Sequence, residues 1–252
     1  MMHAPRTRNP REQGFTLVVI AALFIAFAVI GAAAVERNTT AQQITRRTAT
    51  AEQLTRLSNA IIEYSVFNRS GTTNIYPCPA RYDLDPSNAS FGISYTGCYN
   101  TAPTASGGVV LTAGSTDILR GMVPVQTLSQ YGGINVNDAF DPWNNRIMYI
   151  VNRQMTSALG TPVKANNPTV TEVTTSQTIA APDFILVSYG RDGVGAYKRV
   201  DTTVAIGCAA ASTERRLENC DNDIAFNQGP TYTATNATTT TYFDDILSYY
   251  RQ

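Results

Sequence analysis

The chain has 252 residues, of which 43% are hydrophobic, and its 19 lysine and arginine residues balance 19 aspartate and glutamate residues. This length accommodates one globular domain behind a membrane segment, and a second domain is not required. The missing basic surplus argues against nucleic acid as a partner, and no acidic tail is present.

The N-terminal segment combines a basic leader with a long apolar run. Three arginines precede the run, which extends from Phe15 to Val35 without a charged residue. About 20 apolar residues suffice to cross a bilayer as a helix, and the positive-inside rule keeps the leader cytoplasmic. We therefore predict a single-pass membrane protein, with residues 1–14 as leader, residues 15–35 as the transmembrane half of a helix and the C-terminal domain outside the cytoplasm.

The junction between leader and apolar run predicts a processing site. Gly14-Phe15-Thr16-Leu17, with the basic leader before it and the long helix after it, resembles the type IV pilin and type II secretion pseudopilin superfamily. The resemblance implies that prepilin peptidase cuts between Gly14 and Phe15 and that Phe15 becomes N-methylated. Val19 departs from the glutamate usual at the fifth mature position. That carboxylate is thought to neutralise a neighbouring subunit's amine, so its absence predicts a minor, tip-proximal subunit.

Two other interpretations of the apolar run stay open. Signal peptidase would cut at Ala32-Ala33-Ala34 and release a soluble protein that starts at Val35, although the apolar core exceeds the roughly 7–15 residues usual for a secretory signal. The run would otherwise be a plain signal anchor for a periplasmic binding domain that has no role in a filament.

Residues 36–70 are predicted to continue the helix outside the membrane as its amphipathic half. Its apolar side chains recur at helical spacings; they are Ile44, Ala51, Leu54, Leu57, Ile61 and Tyr64. Ser70-Gly71 is predicted to end the helix. Because the apolar stripe must be buried, we expect it to pack against the globular domain, residues 71–252.

The globular domain is predicted to be rich in loops and short strands. Prolines and glycine pairs predict loops from residue 71 to about Gly121. Runs of β-branched and aromatic residues predict strands at 146–151, 184–189, 197–200 and 242–249, and threonine-rich segments predict exposed loops at 166–178 and 231–241. We therefore predict an α+β fold, in which the long N-terminal helix packs against a small antiparallel sheet with disulfide-stapled loops.

Further segments of this domain resemble pilin-like proteins. Asp141-Pro142-Trp143-Asn144 is similar to the Asp-Pro-Trp-Gly strand entry of major pseudopilins, with Asn144 in place of glycine. Leu186–Gly193 is similar to the Ser-x-Gly-x-Asp-Gly segment that follows it, and the pair of Pro77–Ala80 with Phe243–Ile246 is also found in pilin-like proteins. The resemblance implies a structural subunit of a type II secretion pseudopilus or type IV pilus-like filament at the bacterial inner membrane. It implies prepilin peptidase, other pilin-like subunits and the inner membrane as partners.

Four cysteines lie in the predicted exported domain, where an oxidising compartment favours disulfides. They are Cys78, Cys98, Cys208 and Cys220. Three pairings are possible, and we favour the sequence-local one, Cys78 with Cys98 and Cys208 with Cys220. A zinc site is the alternative, but neither C-x-x-C spacing nor a nearby histidine supports it.

One group of acidic residues is a candidate calcium site. Major pseudopilins carry calcium in the loop after the segment that Ser188–Gly193 resembles, and calcium prefers several oxygen ligands on a flexible loop. The candidate ligands are Asp192, Glu218, Asp221 and Asp223. The alternative is that these carboxylates cap turns through their own backbone.

Catalysis is not predicted. The single histidine, His3, lies in the leader that processing would remove, and a Ser–Lys pair would have to use Lys164 or Lys198, neither of which follows a nucleophile motif. Trp143, Tyr149 and Tyr189 would form either a ligand-stacking surface or, as we favour, part of the core and its strand pairing.

Overall fold

The computed structural model describes residues 10–99, 110–111, 118–158, 167–172, 175–200, 219, 225–229 and 245–251, with side chains omitted at 10–19, 29–40, 110–111 and 179–180. The chain divides into two compact units, Met1–Arg46 and Arg47–Gln252. The described part contains one long helix, several short 3₁₀ turns and eight strands.

Helix α1 extends over Pro10–Phe67. From Phe15 to Phe67 the chain has no proline and a single glycine, so nothing in this stretch interrupts the helical hydrogen bonds. The helix ends at Phe67 rather than Ser70, and both the backbone N–H and the side chain of Asn68 donate to the carbonyl oxygen of Tyr64, at 3.0 Å and 2.9 Å. Within the described residues, no helix combines the length and the hydropathy that crossing a bilayer requires. The predicted span, residues 15–35, includes side chains outside the described set.

The eight strands form two sheets. In chain order the strands are β1 (Val110–Leu111), β2 (Ile118–Met122), β3 (Met148–Asn152), β4 (Thr169–Glu172), β5 (Gln177–Ala180), β6 (Phe184–Ser188), β7 (Ala225–Gln228) and β8 (Ile246–Tyr250). The larger sheet has the order β1-β2-β3-β6-β8, and all its neighbours are antiparallel. The smaller sheet has the order β5-β4-β7, with β4 and β7 parallel.

The central strands of the larger sheet are buried on both faces. Side chains on one face, including Tyr149 and Leu186, belong to the cluster that contains α1 residues. Side chains on the other face, including Ile150 and Ile185, pack with the smaller sheet through Val170 of β4. This double burial explains why β3 and β6 are continuous apolar runs rather than alternating patterns.

The C-terminal third of α1 shares a core cluster with the larger sheet, as predicted, and three of the six predicted residues lie in that cluster. Leu54, Leu57 and Ile61 are at most 1% exposed. The predictions for Ile44, which is 61% exposed, and for Ala51, which is also exposed, were wrong, and Tyr64 is only half-buried. Polar residues share the buried face; they are Thr50, Gln53, Ser58 and Ser65. A search for apolar side chains at helical spacing therefore misses these four polar residues.

Gln53 shows why a polar residue occupies the buried helix face. Its Nε2 donates to the carbonyl oxygens of Asp138 at 3.0 Å and Phe140 at 2.8 Å. One turn later, Arg56 pairs with the Asp138 carboxylate at 3.0 Å. The helix therefore supplies hydrogen-bond donors to the segment that precedes β3. These bonds fix the position of the turn that begins at Asp141.

The strand predictions were confirmed in part. β3 and β6 lie where strands were predicted, and β8 overlaps the prediction at 242–249. The strand predicted at 197–200 was wrong: Lys198 makes one isolated bridge to Asn145. The prediction of an exposed loop at 166–178 was wrong where β4 and β5 form. The loop predicted at 231–241 lies outside the described residues.

The loop after α1 contains the predicted disulfide between Cys78 and Cys98, whose Cα atoms are 6.1 Å apart. Cys98 is buried, and its sulfur lies 3.2 Å from the hydroxyl of Thr156. Ala80, inside the closed loop, pairs with Met122 of β2. The disulfide therefore closes this irregular segment on itself, and the backbone pairing of Ala80 with Met122 joins the segment to β2.

Candidate functional site

A buried carboxylate organises the turn that leads into β3. Asp141 is 3% exposed, and its Oδ1 accepts hydrogen bonds from the backbone N–H groups of Trp143 at 2.9 Å and Asn145 at 2.8 Å. Its Oδ2 accepts from Nδ2 of Asn145 at 3.1 Å and from the hydroxyl of Ser188 at 2.7 Å. Burial raises the pKa of Asp141, while the hydrogen bonds from Ser188 and Asn145 oppose the rise. One carboxylate with four donors thus shapes the turn.

Asn144 adopts the backbone conformation that glycine adopts most readily. Its φ of 62° lies in the left-handed region. Among residues with a side chain, asparagine is one of the few that visit this region routinely. The replacement of glycine by asparagine in the Asp-Pro-Trp segment is therefore compatible with the same turn.

The side-chain amide of Asn145 is fully buried among three partners. Its Nδ2 donates to Asp141 and, at 2.6 Å, to the carbonyl oxygen of Gly190, while its Oδ1 accepts a hydrogen bond from Nζ of Lys198. Gly193 lies against the same group, since a methyl group added there would be 2.8 Å from Nζ of Lys198. The turn before β3, the turn after β6 and Lys198 therefore meet at one amide.

Arg146 is a fully buried cation that backbone carbonyl groups surround. Its guanidinium donates to Tyr82 at 2.9 Å, to Leu84 at 2.5 Å, to Lys198 at 2.9 Å and to Arg199 at 3.4 Å, in each case to the carbonyl oxygen. Burial lowers the pKa of Arg146, and nearby aspartates oppose this effect. Arginine suits this position because its five donors have a fixed planar geometry.

The same arginine starts a stack of four side chains. The guanidinium carbon of Arg146 lies 5.3 Å from the ring centre of Phe91, and Phe91 stacks on Phe140 with ring centres 5.6 Å apart. The guanidinium of Arg199 covers Phe140 at 4.7 Å and also donates to Asn137 at 2.9 Å. Two cations thus contact two stacked rings, an arrangement that cation–π attraction stabilises.

A second buried polar cluster joins the two sheets. Nη2 of Arg120, on β2, donates to the hydroxyl of Tyr189 and, at 3.3 Å, to the carbonyl oxygen of Asn219. The side chain of Asn219 donates to Asn227 of β7 at 3.1 Å and to the carboxylate of Asp245 at 2.9 Å. These contacts tie the residue before Cys220 to both sheets. No sequence pattern singled out Arg120 or Asn219, since both depend on non-local contacts.

Asp192 is the one candidate calcium ligand that lies among the described residues. Its Oδ1 accepts a hydrogen bond from the backbone N–H of Val194 at 3.0 Å, which is the turn-capping alternative. The other candidate ligands, Glu218, Asp221 and Asp223, lie outside the described residues. Within the described part of the chain, no three histidine, cysteine, aspartate or glutamate side chains group as metal ligands.

The remaining predicted site residues have different outcomes. The pairing of Cys78 with Cys98 is confirmed, while Cys208 and Cys220 lie outside the described residues. The processing residues Gly14 and Phe15 are in the backbone of α1, but their side chains are not described.

Two of the three aromatic residues considered as a stacking surface belong to the core. Tyr149 is fully buried in the cluster that contains α1 residues, and its hydroxyl donates to the carbonyl oxygen of Pro77 at 3.2 Å. Tyr189 is fully buried in the cluster on the opposite face of the sheet. The ligand-stacking alternative was therefore wrong for these two. Trp143 is half-buried.

A surface cleft of about 330 Å³ lies beside Phe91. Pro86, Val125, Gln126 and Val136 contribute to its walls. No charged side chain lines it, and Val136 is 46% exposed. The cleft is at the lower end of the size range of small-molecule sites, and the polar side chains in its walls are Asn88, Gln126 and Ser129.

Within the unit Met1–Arg46, α1 presents a continuous exposed apolar segment. All side chains from Ile20 to Ala28 are exposed, and the phenylalanines Phe24 and Phe27 are about 70% exposed. Soluble monomeric proteins rarely expose apolar side chains contiguously, and such patches mark surfaces that contact lipid or another protein.

No family model, curated protein or solved structure matches this chain.

Proposed function

We propose that this protein is a pilin-like structural subunit of a type II secretion pseudopilus or a type IV pilus-like filament, and not an enzyme. In this proposal residues 1–14 are a leader removed by prepilin peptidase, and residues 15–35 are the membrane-embedded half of the helix. The exported domain is periplasmic, and the helix later packs with other pilin-like subunits as the subunit moves from the inner membrane into the filament.

The exposed segment Ile20–Ala28 is the observation that carries this proposal. Its nine side chains are five bulky residues and four alanines, and at 3.6 residues per turn they point to all sides of the helix. Small residues allow close approach of a neighbouring helix, while lipid or neighbouring subunits cover the large ones. The same helix supplies Leu54, Leu57 and Ile61 to the core of the globular unit, so one element serves both as an apolar anchor and as a core helix.

The turn at Asp141 gives independent support. The resemblance to major pseudopilins includes the Asp-Pro-Trp segment and the Ser188–Gly193 segment. Asp141 begins the first segment and Ser188 begins the second, 47 residues later. The hydrogen bond of Ser188 to Asp141 brings the two segments into contact. Two separate sequence similarities therefore correspond to one piece of three-dimensional structure.

Mass spectrometry of the mature N-terminus tests the proposal. In cells with an active prepilin peptidase, we expect a chain that begins with N-methylated Phe15, and Gly14→Leu should leave the leader attached. A matched strain without the peptidase should accumulate the uncut chain. A mature N-terminus at Val35 would instead identify signal peptidase as the processing enzyme, and an uncut chain in the first strain would favour an anchored binding domain.

We also propose a minor, tip-proximal place in the filament. Val19 cannot neutralise the terminal amine of a neighbouring subunit, and an uncompensated ammonium in an apolar core is costly. A tip subunit has no subunit ahead of it whose amine needs a carboxylate. Purified filaments should therefore contain this chain at a low ratio to another pilin-like subunit, and a homopolymer of this chain would contradict the assignment.

A further inference from the structure

We propose that Lys198 and Asn145 are the two ends of an intramolecular isopeptide bond, formed between Nζ of the lysine and Cγ of the asparagine. This modification site goes beyond the proposed structural role. It rests on contacts of the globular unit alone and does not require that the chain enter a filament.

The amine and the amide are already in contact. Nζ of Lys198 donates to Oδ1 of Asn145, and the reacting carbon is only one bond, about 1.2 Å, from that oxygen. A methyl group added to Gly193 would lie 2.8 Å from Nζ, 3.0 Å from Oδ1 and 3.6 Å from Cγ. All three atoms therefore surround one small space, which a side chain at residue 193 would fill.

The backbone holds the two residues in this position. Asn145 and Lys198 form an antiparallel bridge, and the next residue, Arg146, donates from its backbone N–H to Tyr197 at 2.8 Å and from Nε to the carbonyl oxygen of Lys198 at 2.9 Å. Fixing an amine against an amide makes their reaction unimolecular, and such placement supplies a large part of the rate of intramolecular reactions.

The choice of lysine at this position is unusual for this chain. Only two of its 19 basic side chains are lysines, Lys164 and Lys198, and the others are arginines. A hydrogen bond to an amide oxygen requires only a donor, which arginine also provides. A primary amine that can lose a proton and act as a nucleophile is the property that lysine has and arginine lacks.

Asp141 is placed to deliver a proton to the leaving nitrogen. Its Oδ2 lies 3.1 Å from Nδ2 of Asn145, the nitrogen that would leave. Burial raises the pKa of Asp141 above that of an ordinary aspartate, which makes its carboxylate a stronger base. The carbonyl oxygen of Gly190 holds Nδ2 from another side at 2.6 Å, so the leaving group has a fixed direction.

The reaction is an amide exchange that needs no oxidant or other reactant. The ammonium group of Lys198 first releases one proton to solvent water; the lone pair of Nζ then forms a bond to Cγ, and the C–O π electrons move to Oδ1. One proton moves from the attacking nitrogen to Nδ2, and Asp141, whose Oδ2 contacts Nδ2, is the group that delivers it there. The Cγ–Nδ2 bond then breaks, the carbonyl re-forms and ammonia leaves. One primary amine and one primary amide become one secondary amide and one ammonia molecule.

Intact mass spectrometry and peptide mapping of the full-length chain test this proposal. The mature protein should be lighter than its sequence, with its disulfides and N-terminus accounted for, by the mass of one ammonia molecule. Trypsin should fail to cut after Lys198, and one branched peptide should contain both Lys198 and Asn145. Lys198→Arg should abolish the mass loss and the branched peptide, while the matched change Lys164→Arg should keep both.

A wild-type chain of unreduced mass, whose two residues appear in separate peptides, would overturn the proposal. This measurement needs no variant, so a failure of a variant to fold does not affect it. Asp141→Asn, analysed in chains in which Cys78 and Cys98 are oxidised, should remain unlinked. A linked Asp141→Asn chain would overturn the role given to Asp141.

Discussion

The hydroxyl of Ser188 donates a hydrogen bond of 2.7 Å to Oδ2 of Asp141, and both side chains are buried. Ser188 is the last residue of β6, and Asp141 begins the turn that leads into β3. The bond therefore fixes the entry of one central strand to the end of its neighbour. The first prediction concerns this contact.

Ser188→Ala should lower the free energy of unfolding by about 2 kcal/mol, because a hydrogen bond to a charged group contributes roughly 1.5–3 kcal/mol. Denaturant unfolding of the full-length chain measures this loss. Ser87→Ala is a matched control, since the hydroxyl of Ser87 donates to Asp85 over the same 2.7 Å on the exposed surface. The control should leave the unfolding midpoint unchanged, and equal losses in both variants would contradict the importance of burial.

Arg146→Met should lower the free energy of unfolding by more than about 3 kcal/mol, because each buried carbonyl without a donor costs roughly 1–3 kcal/mol. Methionine keeps much of the side-chain length but has no donors for the surrounding carbonyl groups. Arg199→Met removes the outer cation of the same stack and should cost only about 1 kcal/mol. Thermal unfolding of the two variants side by side gives the comparison, and a smaller loss at Arg146 would argue against the carbonyl cage.

Asp141 should contribute more to the free energy of unfolding of the wild type at low pH than at high pH. Its pKa in the folded chain is raised from the ordinary value of 3.8, so between these two values the folded state binds more protons than the unfolded state. The free energy of unfolding contributed by this group therefore decreases as pH rises through that window and is greatest below it. Unfolding of wild type and Asp141→Asn should be measured across pH 3–7. The advantage of the wild type should shrink as pH rises, and an advantage that grows with pH would contradict the raised pKa.

Gly92→Ala should destabilise the chain more than Gly97→Ala. Both glycines lie in the loop closed by Cys78 and Cys98 and have positive φ, 72° and 81°. A Cβ at Gly92 would lie 2.7 Å from Cγ2 of Val125, whereas a Cβ at Gly97 would meet nothing within 4 Å. Both variants strain the backbone at a positive φ. The difference between their losses in the free energy of unfolding, about 1–3 kcal/mol, therefore measures the steric clash at Gly92. Equal unfolding midpoints would show that the loop moves to relieve it.

The parts of the fold that local sequence determines could be predicted. Helix α1 follows from a stretch without proline, and β3 and β6 follow from short apolar runs that turn residues bound. The pairing of Cys78 with Cys98 follows from their proximity in the sequence. In each case the determining residues lie within about 20 positions of each other, so their pattern is visible without tertiary contacts.

The parts that depend on distant residues could not be predicted. β2 contains Arg120 and Gly121, which are unfavourable in a buried strand until Tyr189 and Asn219 solvate the arginine. β4 is threonine-rich and half-exposed, and it becomes a strand by pairing in parallel with β7, more than 50 residues later. The position of Lys198 against Asn145 likewise arises from a bridge between segments 53 residues apart.

The carbonyl cage of Arg146 has a consequence for the order in which the globular unit acquires its structure. The oxygens come from Tyr82 and Leu84 on one side of the sequence and from Lys198 and Arg199 on the other. Neither segment alone replaces the water that the guanidinium loses, so an intermediate with one segment in place holds a poorly solvated cation. The core around Arg146 therefore closes only when residues 82–84 and residues 198–199 are both in place.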